Sequence, residues 1–278
     1  AEWTVYGVGI IQQFNVIRAM AQLDLLDAYL ENAFGFDRTT IYGGPQGVEM
    51  ADFNTPRLAG EAYPSNAGIR RTDLQKVLVT RAKELGATVR LGLTVSEMRE
   101  DAEGVDVTFS DGSTGRHDIV IGADGVFSQI RGMIMPDAPK PRYTGQWVWR
   151  YNLPQPADLD GIRVFAGPCN AGLVPLGNGL MYMFLLSQEE PGFQLEQAGA
   201  AKAMQSRAKM APPQLAKPLS QITDDAGVVG RRQLGTDGPG PVEEELPRLG
   251  EGEGLEVEDL LAADPEALPG RDQERTVG

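Results

Sequence analysis

The sequence predicts a mixed α/β fold, and three observations carry that prediction. Residues 72–85 repeat apolar side chains at helical spacing. Asp118-Ile119-Val120-Ile121-Gly122-Ala123 is a continuous apolar run, as in a strand buried on both faces of a sheet. Residues 142–186 then hold short β-like runs separated by turn residues, which predicts a mostly antiparallel sheet.

Taken in order, Asn15 to Asn32 reads as one helix, with Ile17, Met20, Leu23 (or Ala21), Leu25 and Leu26 at roughly helical spacing, Asn15 as N-cap and Gly35 as stop. Thr39–Tyr42 and Val48–Phe53 read as strands around a Gly43-Gly44-Pro45 break. Thr72-Asp73-Leu74-Gln75 has the capping-box pattern, and Leu74, Val77, Leu78, Ala82 and Leu85 form the apolar stripe of the helix it opens. Gly86 ends that helix, and Thr88–Leu91 reads as a strand. Val105–Phe109 alternates with period two before an Asp111-Gly112 hairpin turn. Residues 88–91 and 118–123 are expected in a parallel-type sheet flanked by the two helices. The later strands are Trp147–Trp149, Ile162–Phe165, Gly172–Leu176 and Leu180–Leu186, and residues 195–232 are weakly helical around Pro212, Pro213 and Pro218. From Gln233 the chain is acidic, rich in Gly and Pro and without aromatics. Such a composition buries too little apolar surface to offset ordering entropy, so residues 233–278 are expected to pack poorly. A shifted reading frame of a GC-rich gene gives text of this kind.

Composition excludes several functions. The net charge of −14 argues against nucleic acid or an anionic membrane as partner. No run of 18 apolar residues appears, so no membrane span is expected, and the N-terminus lacks the pattern of a signal peptide. One cysteine, Cys169, excludes an intrachain disulfide and a cysteine-cluster metal site, and a cytoplasmic location is the default. A single histidine, His117, removes Ser-His-Asp hydrolysis and multi-histidine metal sites from consideration; beside a turn, it is expected to be solvated.

Three segments could carry chemistry. In Asp118 to Arg131 a predicted strand ends at Asp124-Gly125, where ligands of open α/β sheets sit. Asp124 could accept from a ribose and Gly125 lets backbone approach a ligand, although an ordinary Asp-Gly turn with Ser128 as N-cap has the same sequence. Arg71 precedes a helix and could face a phosphate or a polarised ring carbonyl, or simply lie on the surface. Gly7-Val8-Gly9-Ile10-Ile11-Gln12 imitates a dinucleotide fingerprint, but Gln12 stands where the last Gly is needed, and the reading is rejected.

In combination, Gly7–Ile10 with Asn15–Leu26, Ile69–Leu74, Asp118–Arg131 and Gly145–Arg150 resemble the single-component FAD-dependent aromatic monooxygenases of the 4-hydroxybenzoate hydroxylase type, over about residues 1–232. The resemblance implies an incomplete Rossmann-like FAD-binding domain (1–35 and 67–140) beside a substrate-domain sheet (36–66 and 141–232). It implies FAD as cofactor, NAD(P)H as reductant, and O2 and a small, often phenolic, aromatic substrate as reactants. By motif matching, Arg71 would lie at the flavin, the backbone at Val95 at the adenine, and Asp124 and Gly125 in the FAD and NAD(P)H region. No acid or base toward the substrate is identified. The sequence departs from the family in lacking the opening Gly-rich unit and the Gly-Asp segment that follows the substrate domain. Two other readings stay open: a non-catalytic remnant that binds a small molecule or partner, and a flavin-dependent reductase without oxygenation.

Overall fold

The computed structural model describes residues 8–235. Strand β1 (Gly9–Gln13) runs into helices α1 (Phe14–Gln22) and α2 (Leu26–Leu30), then β2 (Ala33–Phe36). A hairpin of β3 (Arg38–Gly43) and β4 (Val48–Asn54) follows, and β5 (Asn66–Arg70) leads directly into α3 (Arg71–Glu84). A meander of β6 (Val95–Asp101), β7 (Gly104–Phe109) and β8 (Thr114–His117) precedes α4 (Gln129–Ile134). The remainder is β9 (Arg142–Pro154), β10 (Ile162–Ala166), β11 (Ala171–Pro175), β12 (Leu180–Gln188), α5 (Ala200–Arg207), α6 (Ala216–Ser220) and β13 (Val229–Gly235).

The strands form three sheets, ordered β1-β5-β2, β13-β9-β12-β11-β10-β3-β4 and β6-β7-β8. The seven-stranded sheet is antiparallel except where β10 pairs in parallel with β3. The mixed α/β class and the mostly antiparallel later sheet are therefore as the sequence predicts.

Side-chain alternation along the strands builds the layers. Ile10, Ala67 and Ile69 turn one face of β1-β5-β2 toward Ile17, Met20, Leu26, Tyr29 and Val77 of the first three helices. Val8 and Ile11 turn the other face toward Val174, Leu176 and Tyr182 of the seven-stranded sheet. The far face of that sheet, with Trp149, Tyr151, Leu153, Met183 and Leu185, packs against Ala200, Met204 and Leu215. The two sheets meet through glycine. A Cβ on Gly68 would lie 2.0 Å from the carbonyl oxygen of Pro175, and one on Gly9 would lie 2.5 Å from the ring of Tyr182.

Several local expectations are corrected. The helix expected over 15–32 is two helices, because Asp24 takes a left-handed φ of 56° between them. The break turns Leu25, Leu26 and Tyr29 inward. Asn15 lies inside α1, whose N-cap is Gln13, and Gly35 sits within β2. The Thr72 capping box is not formed. Helix α3 starts one residue earlier, and Asp73 instead takes a bidentate pair from Arg70 at 2.6 and 3.0 Å. Of the α3 stripe, Val77 is buried, while Leu78 and Leu85 are exposed.

Residues 88–91 and 118–123 form no strand ladder among the described residues. An apolar run becomes a buried strand only if strands pair on its edges and layers cover its faces. Here neither is present among the described residues, so Ile119 and Ile121 are 77% and 82% exposed. Of the tail expected from Gln233, residues 233–235 belong instead to β13, whose Leu234 and Gly235 pair with β9. The rest of that expectation, 236–278, lies outside the described residues. His117 is exposed at the end of β8, as expected.

The turn before α4 is closed by side chains. Asp124 Oδ1 accepts from Ser128 Oγ at 2.5 Å, Asp124 Oδ2 accepts from the amides of Gln129 and Ile130 at 2.7 and 3.2 Å, and Ser128 Oγ accepts from the Arg131 amide at 2.9 Å.

Two outcomes test this description. Gly68→Ala should destabilise the protein by about 1–3 kcal/mol, since the atom it meets is backbone and cannot swing away. Gly132→Ala, within α4 and with nothing in reach of its Cβ, should stabilise by roughly 0.5–1 kcal/mol. Urea midpoints check both, and an unchanged midpoint for Gly68→Ala would contradict the sheet-on-sheet contact. The second outcome concerns acid. The Ser128 hydroxyl, then the Ile130 and Gln129 amides, hold the Asp124 carboxyl below the usual carboxylate range. A carboxyl depressed by folding adds stability that is present above its unfolded pKa and is lost as pH falls through the folded value. The amide resonances of Gln129 and Ile130 should therefore titrate together below the ordinary carboxylate range, and Asp124→Asn should remove that transition.

Candidate active site

The candidate site lies where the end of β1-β5-β2 meets the seven-stranded sheet. Gly9 pairs with Arg70 at this end, so β5 hands the chain to α3 next to the ring of Tyr182. The Arg71 amide donates to the carbonyl of Val8 at 3.1 Å, which fixes the first residue of α3 at the same edge. The Arg71 side chain is exposed and makes no hydrogen bond or ion pair among the described residues. Its neighbour Arg70, by contrast, is neutralised by Asp73.

The opposing wall is one face of the large sheet. Asn152 pairs with Tyr182 and Arg150 with Phe184, so these four side chains share the face that turns toward β1. Tyr182 is buried, and burial pushes its hydroxyl up to about 12, with the nearby Arg150 charge pulling the other way. Arg150 has no carboxylate partner among the described residues. Asn152 Oδ1 is buried without a hydrogen-bond donor among the described residues. A buried acceptor without a partner costs about 1–3 kcal/mol of desolvation. The face thus carries one unpaired cation, Arg150, beside the Tyr182 ring, while the Asn152 oxygen is enclosed among the described residues.

The other residues singled out in the sequence lie elsewhere. Val95, half-buried, opens β6, and Asp124-Gly125 forms the turn before α4 with φ of 84° at Gly125. These two segments are adjacent, because Thr94 Oγ1 donates to Gln129 Oε1 at 3.1 Å. Among the described residues no hydrogen bond or ion pair joins either segment to Arg71. Asp124 caps its own helix, the geometry of the ordinary Asp-Gly turn. Sequence reasoning missed Arg150, Asn152 and Tyr182 as site residues. The available signal was the even-numbered polar alternation Arg150, Asn152 within an otherwise aromatic strand.

FAD has two ends, and the described residues fit them unequally. Unpaired Arg71 and Arg150 are groups that could face the flavin end. A pyrophosphate needs free N–H groups at a helix N-terminus over a glycine loop. Neither α1, α3 nor α4 offers that: α1 opens on Gln13-Phe14, α3 carries Asp73 in its first turn, and the first amides of α4 are taken by Asp124 and Ser128.

Comparison with known proteins gives the same direction. The chain is 29% identical over 193 residues to the aurachin C monooxygenase/isomerase of Stigmatella aurantiaca, covering 67% of this chain and 48% of that protein. It is 29% identical over 175 residues to the FAD-dependent urate hydroxylase of Klebsiella pneumoniae, covering 61% and 45%. It spans about half the length of these relatives. The Klebsiella pneumoniae HpxO structure complexed with FAD and uric acid shares the fold with a TM-score of 0.72 at 23% identity, covering 83% of this chain and 59% of that one. A salicylate hydroxylase substrate complex shares it with a TM-score of 0.66 at 20% identity, covering 82% and 61%. Residues 8–161 match the family described as FAD binding domain. That match covers more than half of the chain, which therefore belongs to this family, that of the FAD-dependent aromatic monooxygenases.

Proposed function

We propose that the chain is the flavin- and substrate-facing part of a monooxygenase that hydroxylates a small aromatic molecule with NAD(P)H and O2. One observation carries the reading: α3 starts with unpaired Arg71 beside the strand end that packs on Tyr182, and unpaired Arg150 lies close to the same Tyr182. FAD, when bound, supplies the electron transfer and oxygen chemistry, and the protein supplies position and field. Arg71 would hold the flavin from the α3 side, with the Val95 backbone, Asp124 and Gly125 serving the adenosine half. Arg150 would attract an electron-rich or anionic ring. The Tyr182 hydroxyl, neutral throughout the physiological range, would donate to a substrate oxygen. Phe184 and the buried Val174 and Leu176 exclude water beneath them. Relatives that act on urate support a planar, polar substrate.

Two measurements follow. The chain alone should bind FAD with a dissociation constant above about 1 μM, because the charge-assisted bonds it offers contribute about 1.5–3 kcal/mol each while 1 μM needs roughly 8 kcal/mol. Flavin fluorescence titration checks this, and tighter binding would mean a phosphate grip exists. Arg71→Gln should weaken FAD binding about tenfold, equal to 1.4 kcal/mol, with the urea midpoint unchanged. In flavin-saturated protein, a phenolic substrate should couple NAD(P)H oxidation to O2 uptake and a hydroxylated product. Oxidation of NAD(P)H into a reduced organic product without O2 uptake would make the protein a reductase. Ligand binding with no flavin affinity at any concentration would make it a non-catalytic binder.

A further inference from the structure

Residues 118–123 carry an exposed apolar run whose backbone is also free. Among the described residues, the amides and carbonyls of 119–123 make no hydrogen bond. The side chains nevertheless keep the period of two of an extended strand. Ile119 and Ile121 stand out into solvent, while Val120 is half-buried. Val120 and Gly122 line a cavity of about 550 Å³ with Met98 of β6 and Ile130 of α4, and a Cβ on Gly122 would lie 2.8 Å from the Ile130 side chain. The chain bends at Asp118, and Gly125 turns it with a left-handed φ of 84°, so the extended stretch has two fixed ends.

An extended stretch with unpaired N–H and C=O groups is a template for another strand. Its surroundings are apolar as well. Ile119, Met133 and Ile134 border the same cavity, and all three are exposed, so they form one patch rather than scattered points. Such a patch marks a protein contact. The sequence of the run says which protein. Ile119-Val120-Ile121 reads the same in both directions, so it is its own antiparallel complement.

Charge then selects the register. A two-fold axis perpendicular to a sheet sets one residue opposite its own copy. With the axis at Ile121, Asp118 would face the partner's Asp124 at both ends of the ladder, and like charges directly opposite are destabilising. With the axis at Ile119, Ile121 would have to pair beyond the bend at Asp118. With the axis at Val120, Ile119 lies opposite the partner's Ile121, Val120 opposite its copy, and Asp118 opposite the partner's Gly122, where no side chain stands. In a chain of net charge −14, a contact between copies needs this separation of acids. We propose that residues 118–122 join two copies of this chain in an antiparallel ladder centred on Val120.

The test uses the full chain without added flavin. Sedimentation velocity over about 1–100 μM should show a monomer and a dimer in concentration-dependent exchange. Ile121→Lys, at a side chain that is 82% exposed, should raise the dimer dissociation constant at least tenfold and leave the urea midpoint of the dilute protein unchanged. Val120→Cys should give a covalent dimer in oxidised glutathione, because directly opposite Cα atoms at about 4.5–5.5 Å suit a disulfide. Ile121→Cys, which faces the partner's Ile119, should not. The unsubstituted chain, whose one cysteine, Cys169, is buried, is the control. A monomer at about 100 μM overturns the proposal, as does a dimer equally stable in Ile121→Lys. A covalent dimer from Ile121→Cys and none from Val120→Cys overturns the register. Amide-exchange protection of 119–123 in a monomer would mean that the chain covers this stretch itself, and sinks the proposal too. None of these readouts involves flavin, so they stand apart from the test of the monooxygenase reading.

Discussion

The close approach of two sheets through Gly9 and Gly68 is the constraint on which the rest depends. A carbonyl oxygen 2.0 Å from where a Cβ would stand leaves no room for any side chain at position 68. Because β1 and β5 pair residue for residue, the absence of side chains at 9 and 68 clears one stripe of one face, while Ile10, Ala67 and Ile69 keep the other face apolar for the helices. The layer between helices and large sheet is therefore thin. Since α3 begins at the residue after β5, the same contact delivers Arg71 to the edge of Tyr182 without any loop to blur its position. A site built from strand ends and a helix start in this way is better ordered than one built from loops.

Charge pairing separates the site from the scaffold. Arg38, Arg57, Arg70, Arg163 and Arg207 each meet a carboxylate within 3.1 Å. These pairs tie turns and strands together, and most are exposed enough to contribute only modestly to stability. Arg71, Arg150 and Arg232 have no such partner among the described residues. In a chain with 39 acidic and 25 basic residues, an unpaired arginine is not the product of a shortage of carboxylates. The overall negative field opposes an approaching anion, and an unpaired guanidinium opposes that field only over a few ångströms.

How much was legible in the sequence follows from how local each signal is. The β7–β8 hairpin around Asp111-Gly112, the β3–β4 pair and strands β9 to β12 were readable because turn residues and alternation act within a few positions. Arg71 at the start of α3 was readable for the same reason. The run 118–123 misled because continuous apolarity states only that a segment is fit for burial. Whether it is buried depends on strands that pair with it, and none does so among the described residues. The stripe of α3 misled similarly, since Leu78 and Leu85 lack a covering layer. Tyr182 and Arg150 were illegible as a pair because their meeting depends on the β9–β12 register across more than thirty residues. The Asp124 turn was legible in its plain form, with an N-capping serine and a carboxylate over the helix start.

Strand β9 then shows how one short sequence serves two chemistries. Its period of two sends Trp147, Trp149 and Tyr151 to the helix side and Val148, Arg150 and Asn152 to the other. Trp149 is fully buried and its indole is bonded to Ser187, so it anchors the strand. Its neighbours on either face can then carry unsatisfied groups, Trp147 Nε1 on one side and Asn152 Oδ1 on the other, without loosening the sheet. Each orphan costs desolvation energy, and long ladders with both β12 and β13 offset that cost along the whole strand.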